Sequence, residues 1–251
     1  FNRDHVFTAQ VITSPTQLSD VLIVGAGYRI PLYQWNGMLD FVAGYSNVDS
    51  GNVQGLFTVS GTGSFFGLRY TQFLPRIDAY EQKLALGFDY RAYTQNVLLV
   101  GTTGTLVPDI TLQPLSLTYS GRLSQVGREL TLYVSGSANV PGGENGDQAA
   151  FTAQRPGANA HYSIMRAGTA YSQALPQDFL FRGVLVGQHT TNALATGEQF
   201  GMGGANNVRG FYEREVASDK GYRGTLELYS PDWGKHIGAD WRGRMLVFTD
   251  W

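Results

Sequence analysis

The sequence has no cysteine, little charge and no long apolar run. None of its 251 residues is Cys, which excludes disulfide bridges and thiolate metal sites. Only 15% of the residues are charged, against about 25% in an average protein. The formal net charge is −2 with no basic block, so neither a nucleic-acid-binding surface nor a nucleic-acid partner is expected. No segment approaches the roughly 18 apolar residues of a membrane-spanning helix. A membrane-spanning helix therefore does not explain the low content of charged residues, and another explanation is needed.

The sequence does contain strict alternation of apolar and polar residues, and no convincing helical period. Between residues 79 and 93, for example, Leu86 and Phe88 alternate with Asp89 and Arg91. Alternation over 10 to 14 residues predicts long β-strands. The predicted strands lie near 4–13, 20–31, 35–46, 53–72, 78–92, 109–120, 128–140, 159–173, 178–190, 220–230 and 239–251.

Two all-β architectures fit this pattern, a soluble sandwich or barrel and a transmembrane antiparallel β-barrel. The polar face carries full charges and many glycines, as expected of a water-filled lumen. Trp and Tyr lie near the ends of the apolar faces, as they do at membrane interfaces. The sequence therefore favours the transmembrane barrel. The charged residues predicted to face its lumen are Asp40, Glu81, Lys83, Asp89, Arg91, Arg242 and Arg244.

The predicted connections also favour a membrane barrel, because short and long links alternate. The links near Pro31, Pro75, Val126, Pro176 and Pro231 are mostly short. The links at 93–108, 141–158 and 191–219 are long. Outer-membrane barrels have short periplasmic turns and long extracellular loops.

Signals for enzymatic chemistry are weak. The glycine-rich stretches 25–27 and 61–67 lie within predicted strands and precede no helix, which argues against a nucleotide site. The four histidines are scattered, and there is no H-E-x-x-H or G-x-S-x-G motif. We therefore expect no catalytic residue, metal, cofactor or small-molecule substrate.

The longest link contains a specific motif, GGANNVRGF at 203–211. With Phe200 ahead of it, this segment resembles the V-R-G-F/Y signature in the sixth extracellular loop of the outer-membrane assembly and translocation superfamily. Phe248, Thr249 and Asp250 resemble that superfamily's F-x-D-x-G element on strand 13. Glu213, the segment 221–227 and Pro231 are most similar to the two-partner secretion branch, which exports haemolysins and filamentous adhesins.

The resemblance implies a place for the chain in a longer protein. The eleven predicted strands correspond to strands 3–13 of a 16-stranded barrel. Residues 1–251 would form one partial barrel domain, without the periplasmic POTRA repeats and the first and last strands. The implied partners are a secreted passenger protein and lipid of the Gram-negative outer membrane. A barrel-assembly insertase and a passive porin-like barrel are the alternatives.

The same resemblance predicts that loop 191–219 folds into the lumen, where Arg209 pairs with Asp250. An arginine can bind a carboxylate through two donors, which lysine cannot reproduce. Gly203, Gly204 and Gly210 would let the loop turn within a narrow space. Val208, Phe211 and Phe248 complete the predicted contact between loop and lumen. In the competing interpretation, Arg209 lies on a solvated loop.

Overall fold

A computed structural model of the protein describes residues 3–13, 22–47, 51–53, 57–59, 62–94, 108–234 and 243–251. The fold is dominated by β-strands. They are β1 (Val6–Thr13), β2 (Leu22–Leu32), β3 (Gly37–Ser46), β4 (Gly51–Val53), β5 (Phe57–Val59), β6 (Gly63–Phe73), β7 (Tyr80–Tyr93), β8 (Ile110–Leu112), β9 (Pro114–Gln125), β10 (Arg128–Asn139), β11 (Ser163–Ala174), β12 (Leu180–His189), β13 (Phe200–Met202), β14 (Val216–Ser218), β15 (Gly221–Tyr229) and β16 (Leu246–Asp250).

Eleven long strands form one antiparallel sheet in chain order. The spatial order is β1-β2-β3-β6-β7-β9-β10-β11-β12-β15-β16, and β8 is added beside β7. In the described part of the chain β1 and β16 do not pair, so the sheet is open. The predicted all-β antiparallel architecture with eleven strands is confirmed. None of the helices in the described ranges is long and apolar enough to cross a membrane.

The strand register separates a polar face from an apolar face. Along one row of the polar face, Thr118 lies beside Ser135, Ser135 beside Arg166, and Arg166 beside Gln188. The opposite face carries exposed apolar side chains, including Leu86, Leu117, Val134 and Leu185. Because side chains alternate along each strand, every strand contributes to both faces.

One end of the sheet has short connections and the other has long ones. Only Val126 and Gly127 join β9 to β10, and Gly127 has a φ of 72° that suits glycine. Three-residue 3₁₀ turns, Tyr33–Trp35 and Pro176–Asp178, lie in two other short links. The long links lie between β10 and β11 and between β12 and β15. We refer to these two ends as the short-turn end and the long-loop end.

Two predicted strands differ from the structure. The segment 53–72 is not one strand, because β4 and β5 form a separate hairpin before β6 begins at Gly63. A Cβ atom at Gly63 would lie 1.9 Å from the carbonyl oxygen of Ala92, so only glycine allows this approach to β7. The segment 109–120 is divided between β8 and β9. The break occurs because Gln113 donates its N–H to the Asn139 side chain and Pro114 has no N–H.

Apolar side chains pack together at the long-loop end. The helix α1 (Gln148–Gln154) lies in the link between β10 and β11, and Asp147 caps its start by accepting from the Ala150 N–H. At seven residues, α1 is too short to show a helical period in the sequence. The packed residues, called the mouth cluster below, are Tyr93, Ile110, Leu112, Phe151, Ala158, Ala160, Tyr162, Ile164, Leu194 and Ala195.

Candidate functional site

The candidate site is the long loop, residues 190–220, which connects β12 to β15. Its strands β13 and β14 pair as a short hairpin. We call residues 203–215 the tip, and residues 194–202 with 216–219 the base. A 3₁₀ turn, Thr196–Glu198, lies in the base. Through both parts the loop contacts the polar face of the sheet.

Two adjacent glycines shape the entry to the tip. Gly203 and Gly204 have φ values of 104° and 110°, a conformation that other residues rarely adopt. A Cβ atom on Gly204 would lie 2.1 Å from the Glu213 carboxylate, and one on Gly203 would lie 2.3 Å from the carbonyl oxygen of Tyr212. Gly210 also has a positive φ, 91°, but a Cβ atom there would meet nothing within 4 Å. Gly203 and Gly204 are therefore required both by their φ values and by the lack of space for a Cβ atom. Gly210 is required by its φ value alone.

Arg209 attaches the tip to the last two strands of the described sheet. Its Nε and Nη2 atoms donate to the Asp250 carboxylate at 2.7 and 2.8 Å, and its backbone N–H donates to the same carboxylate at 3.0 Å. Its Nη1 atom donates to Glu227 at 2.8 Å. The guanidinium lies 3.5 Å from the ring centroid of Phe248, within the range of a cation–π interaction.

The strand register explains why these acceptors converge. Thr225 of β15 lies beside Asp250 of β16, and Glu227 lies beside Phe248. All four residues are on the polar face, two residues apart on each strand. Because the Asp250 side chain is only 4% exposed, its carboxylate is removed from water and depends on its donors.

The charge of Arg209 is stabilised by the same contacts. The hydrogen bond to Asp250 raises the pKa of the Arg209 guanidinium above its usual value. Partial burial opposes this shift, and the carboxylates of Asp250 and Glu227 add to it. Arg209 is therefore a permanent cation held between two carboxylates.

The other predicted residues of this contact differ in exposure. Val208 is half-buried, Gly210 is exposed and the Phe211 side chain is 57% exposed. The structure thus brings Arg209, Asp250 and Phe248 together. It leaves most of the Phe211 ring uncovered at the end of the tip.

The structure describes six of the seven predicted lumen residues. Asp40 is buried and pairs with Arg29 at 2.6 Å, while Asp89 pairs with Arg91 at 2.8 Å. Glu81 and Lys83 line an open cavity of about 520 Å³ on the polar face.

Arg244 lies at the short-turn end, before β16 begins, and binds the Asp178 carboxylate at 2.9 and 3.0 Å. The predicted strand 239–251 includes Arg244, but within the described residues β16 starts only at Leu246. Arg242 lies outside the described residues.

Sequence reasoning missed a second group of contacts, centred on Glu198 in the base. The Glu198 carboxylate accepts from Arg91 of β7 at 2.6 Å and from Arg166 of β11 at 2.9 Å. Gln188 of β12 donates to the Glu198 carbonyl oxygen at 2.9 Å. The sequence carried no local signal for Glu198, because Asp89, two residues from Arg91 on the predicted polar face, already offers that arginine an acid partner.

Asp219 completes the attachment of the base. Arg155, just after α1, donates to the Asp219 carboxylate through both Nη atoms at 2.6 and 3.1 Å. The Leu194 N–H and the Gln199 side chain donate to the same carboxylate at 3.1 and 3.2 Å. The two ends of the base are thus joined to each other and to the neighbouring loop.

Both carboxylates of the base have lowered pKa values. Burial alone would raise the pKa of Glu198, but the charges of Arg91 and Arg166 outweigh it. For Asp219, burial likewise opposes ionisation, while hydrogen bonds from Arg155 and Leu194 lower the pKa. Each group is therefore ionised at neutral pH and held by its donors. In the described ranges, no three His, Asp or Glu side chains come together as a metal site.

Three solved structures have a fold similar to that of this chain. The fold is similar to CdiB from Escherichia coli, at 17% identity and a TM-score of 0.62 over 90% of this chain and 44% of that one. It is also similar to CdiB from Acinetobacter baumannii, at 14% identity and a TM-score of 0.59 over 98% of this chain and 46% of that one. A third similar structure is BamA from Haemophilus ducreyi lacking POTRA domains 1–3, at 15% identity and a TM-score of 0.56 over 92% of this chain and 49% of that one.

The chain spans less than half the length of each of these three structures. A comparison with curated protein sequences finds no significant match. The profile of the haemolysin secretion/activation family ShlB/FhaC/HecB, by contrast, matches residues 23–251. Proteins of this family are β-barrels of the Gram-negative outer membrane, as expected from the sequence. The match covers most of the chain, which therefore belongs to the haemolysin secretion/activation protein family ShlB/FhaC/HecB.

Proposed function

We propose that this chain forms part of an outer-membrane pore that secretes one large partner protein, such as a haemolysin or a filamentous adhesin. Residues 1–251 would constitute a partial barrel domain of that translocator. The observation that carries the proposal is the attachment of the loop tip to the polar face through Arg209 and Asp250. A loop held there closes the lumen at rest and has to move before a polypeptide passes.

The polar face suits the passage of an unfolded chain. Several of its charged side chains occur in pairs, such as Arg29 with Asp40 and Arg122 with Glu129. Paired charges keep the wall wet and present little net charge to a passing polypeptide. The chemistry requires neither a metal nor a cofactor, and no enzymatic step is proposed.

A barrel-assembly insertase is the second candidate, and the similarity to BamA is the observation that favours it. The two functions differ in what fails when the protein is lost. Loss of a translocator removes one large protein from the culture medium. Loss of an insertase reduces many outer-membrane barrels at once.

Deletion of the gene in its host tests the proposal. Extracellular protein and total outer-membrane barrels are quantified in the deletion strain, with complementation by the wild-type gene or by Asp250→Asn. Loss of a single secreted protein, restored by the wild-type gene and not by Asp250→Asn, is expected. Glu144→Gln is a matched control, because Glu144 is exposed on another loop. A general loss of barrels supports assembly, and unchanged protein secretion supports a passive pore.

A further inference from the structure

The base and the tip of the long loop differ in how they are attached. In the base, Leu194 and Ala195 are completely buried and Glu198 is 4% exposed. In the tip, every residue from Gly210 to Glu215 is exposed. A loop that leaves the pore as one body would expose the buried apolar and charged groups of its base to water.

Glu198 attaches the base to two separate parts of the sheet. Arg91 and Arg166 belong to β7 and β11, which β9 and β10 separate in the sheet. The carboxylate therefore bridges two strands that are not neighbours in the sheet. Removal of Glu198 from this position would leave two arginines without their shared anion, which is costly for buried charges.

The mouth cluster and Asp219 reinforce this attachment. Leu194 and Ala195 pack in the mouth cluster together with Phe151 and Tyr162 of the neighbouring link. Arg155 also donates to the Leu194 carbonyl oxygen at 2.7 Å, in addition to binding Asp219. Both chain segments of the base are thus held against a neighbouring loop that is itself packed.

The tip has few such attachments. Among the described residues, the hydrogen bonds from the tip to the sheet all come from Arg209, and that contact borders an open cavity of about 230 Å³. The tip joins the base at Gly203 and Gly204 on one side. On the other side is Arg214, with a φ of 52°. Hinges are a few loop or element-terminal residues that absorb changes in φ and ψ, and these two junctions occupy such positions in the loop.

We infer that Glu198 is a positioning residue, which keeps the base of the loop in the pore mouth while only the tip, residues 203–215, swings to open the lumen. The inference rests on the proposed function and deepens it. The released Arg209 and the exposed Phe211 move with the tip. The base remains as a fixed frame at the long-loop end.

Two crosslinks distinguish motion of the tip from motion of the whole loop. Because the chain contains no Cys, only introduced cysteines react. Phe200→Cys with Gly221→Cys joins the base to β15, where a Cβ atom on Gly221 would lie 2.9 Å from the Phe200 ring. Arg209→Cys with Asp250→Cys joins the tip to β16. A reducible bis-maleimide links each pair in the full-length translocator.

Single-channel conductance in planar lipid bilayers is the readout, and it needs no passenger protein. We expect the base crosslink to leave the frequency of openings within twofold of the uncrosslinked protein. The tip crosslink should reduce the frequency at least tenfold, and reduction of the reagent should restore it. Loss of openings with the base crosslink, or openings that neither crosslink affects, would overturn the inference.

Glu198→Gln provides an independent test of the role of this residue, with Glu144→Gln as the exposed control. We expect Glu198→Gln to retain a folded barrel, judged by its heat-modifiable migration in gels, and to increase protease cleavage within residues 190–202 at least tenfold. Cleavage unchanged from the control would contradict the role of Glu198. Unchanged secretion in the gene-deletion strain would instead count against the proposed function and leave this inference untouched, because neither of these measurements involves a passenger.

Discussion

The guanidinium of Arg209 and the carboxylate of Asp250 form a two-donor ion pair, to which the Arg209 backbone N–H adds a third hydrogen bond. The residues are 41 positions apart in the chain. The contact joins an irregular loop to a membrane-spanning strand. Its geometry depends on the planar guanidinium group, which presents its donors in fixed directions.

Arg209→Lys should therefore impair secretion although it retains the positive charge. A lysine ammonium cannot bind both Asp250 oxygens and Glu227 in this geometry. We expect secretion of the partner protein to fall at least tenfold, measured as protein in the medium at equal amounts of barrel in the membrane. Arg182→Lys is the control, because Arg182 is half exposed and lies 3.3 Å from Glu227. Equal secretion by both variants would contradict the requirement for a guanidinium at position 209.

Substitution of the tip glycines should separate two physical effects. Gly204→Ala combines an unfavourable φ with a collision against Glu213, whereas Gly210→Ala has an unfavourable φ alone. Backbone strain of this kind costs about 1–3 kcal/mol. We expect spin labels in the tip to be more mobile in Gly204→Ala than in Gly210→Ala, measured by electron paramagnetic resonance. The reverse order would contradict the collision between a side chain at position 204 and Glu213.

The attachment of the loop base should weaken in acid. The pKa values of Glu198 and Asp219 are lowered in the folded protein. Their ionised forms therefore stabilise the loop at any pH above the pKa values of the unfolded chain, which are about 4. This stabilisation is lost as the pH falls through the lower pKa values that the two carboxylates have in the folded protein. We expect spin labels in the base to stay immobile from pH 7 to about 5 and to gain mobility below about 4.

In the Glu198→Gln variant, spin labels in the base should be mobile already at neutral pH. Their mobility should also change less than in the wild type when the pH is lowered. Glu144→Gln should follow the wild type. A wild-type transition centred near neutral pH would show that other groups control the attachment.

Asn139→Ala should destabilise the barrel near its long-loop end. The Asn139 side chain accepts from the Gln113 N–H at 2.7 Å and donates to the Ala160 carbonyl oxygen at 2.8 Å, and it is 6% exposed. Without it, two backbone groups lose their partner, which costs about 1–3 kcal/mol each. The free energy of unfolding in urea, measured in detergent, should fall accordingly. Asn206→Ala, at an exposed tip position, should leave that free energy unchanged.

The strand pattern was predictable because alternation is a local property. The side chain of each strand residue points opposite to that of its neighbours, so a sequence that alternates also states which residues share a face. Asp40, Asp89 and Arg91 lie on the polar face for this reason. The strand bounds were less accurate where a backbone feature intervenes, as at Gly63 and Pro114, and Arg244 lies in a turn contact with Asp178.

The sequence by itself determined the eleven strands, their two faces and the identity of the Arg209 loop, since these depend on local periodicity and on a short motif. The tertiary structure alone decided that Glu198 meets Arg91 and Arg166, which are 107 and 32 positions away. It also decided that Arg209 binds Glu227 as well as Asp250. Such contacts depend on strand register and on the course of a long loop across the sheet. Neither the strand register nor the course of the loop is encoded in any short stretch of residues.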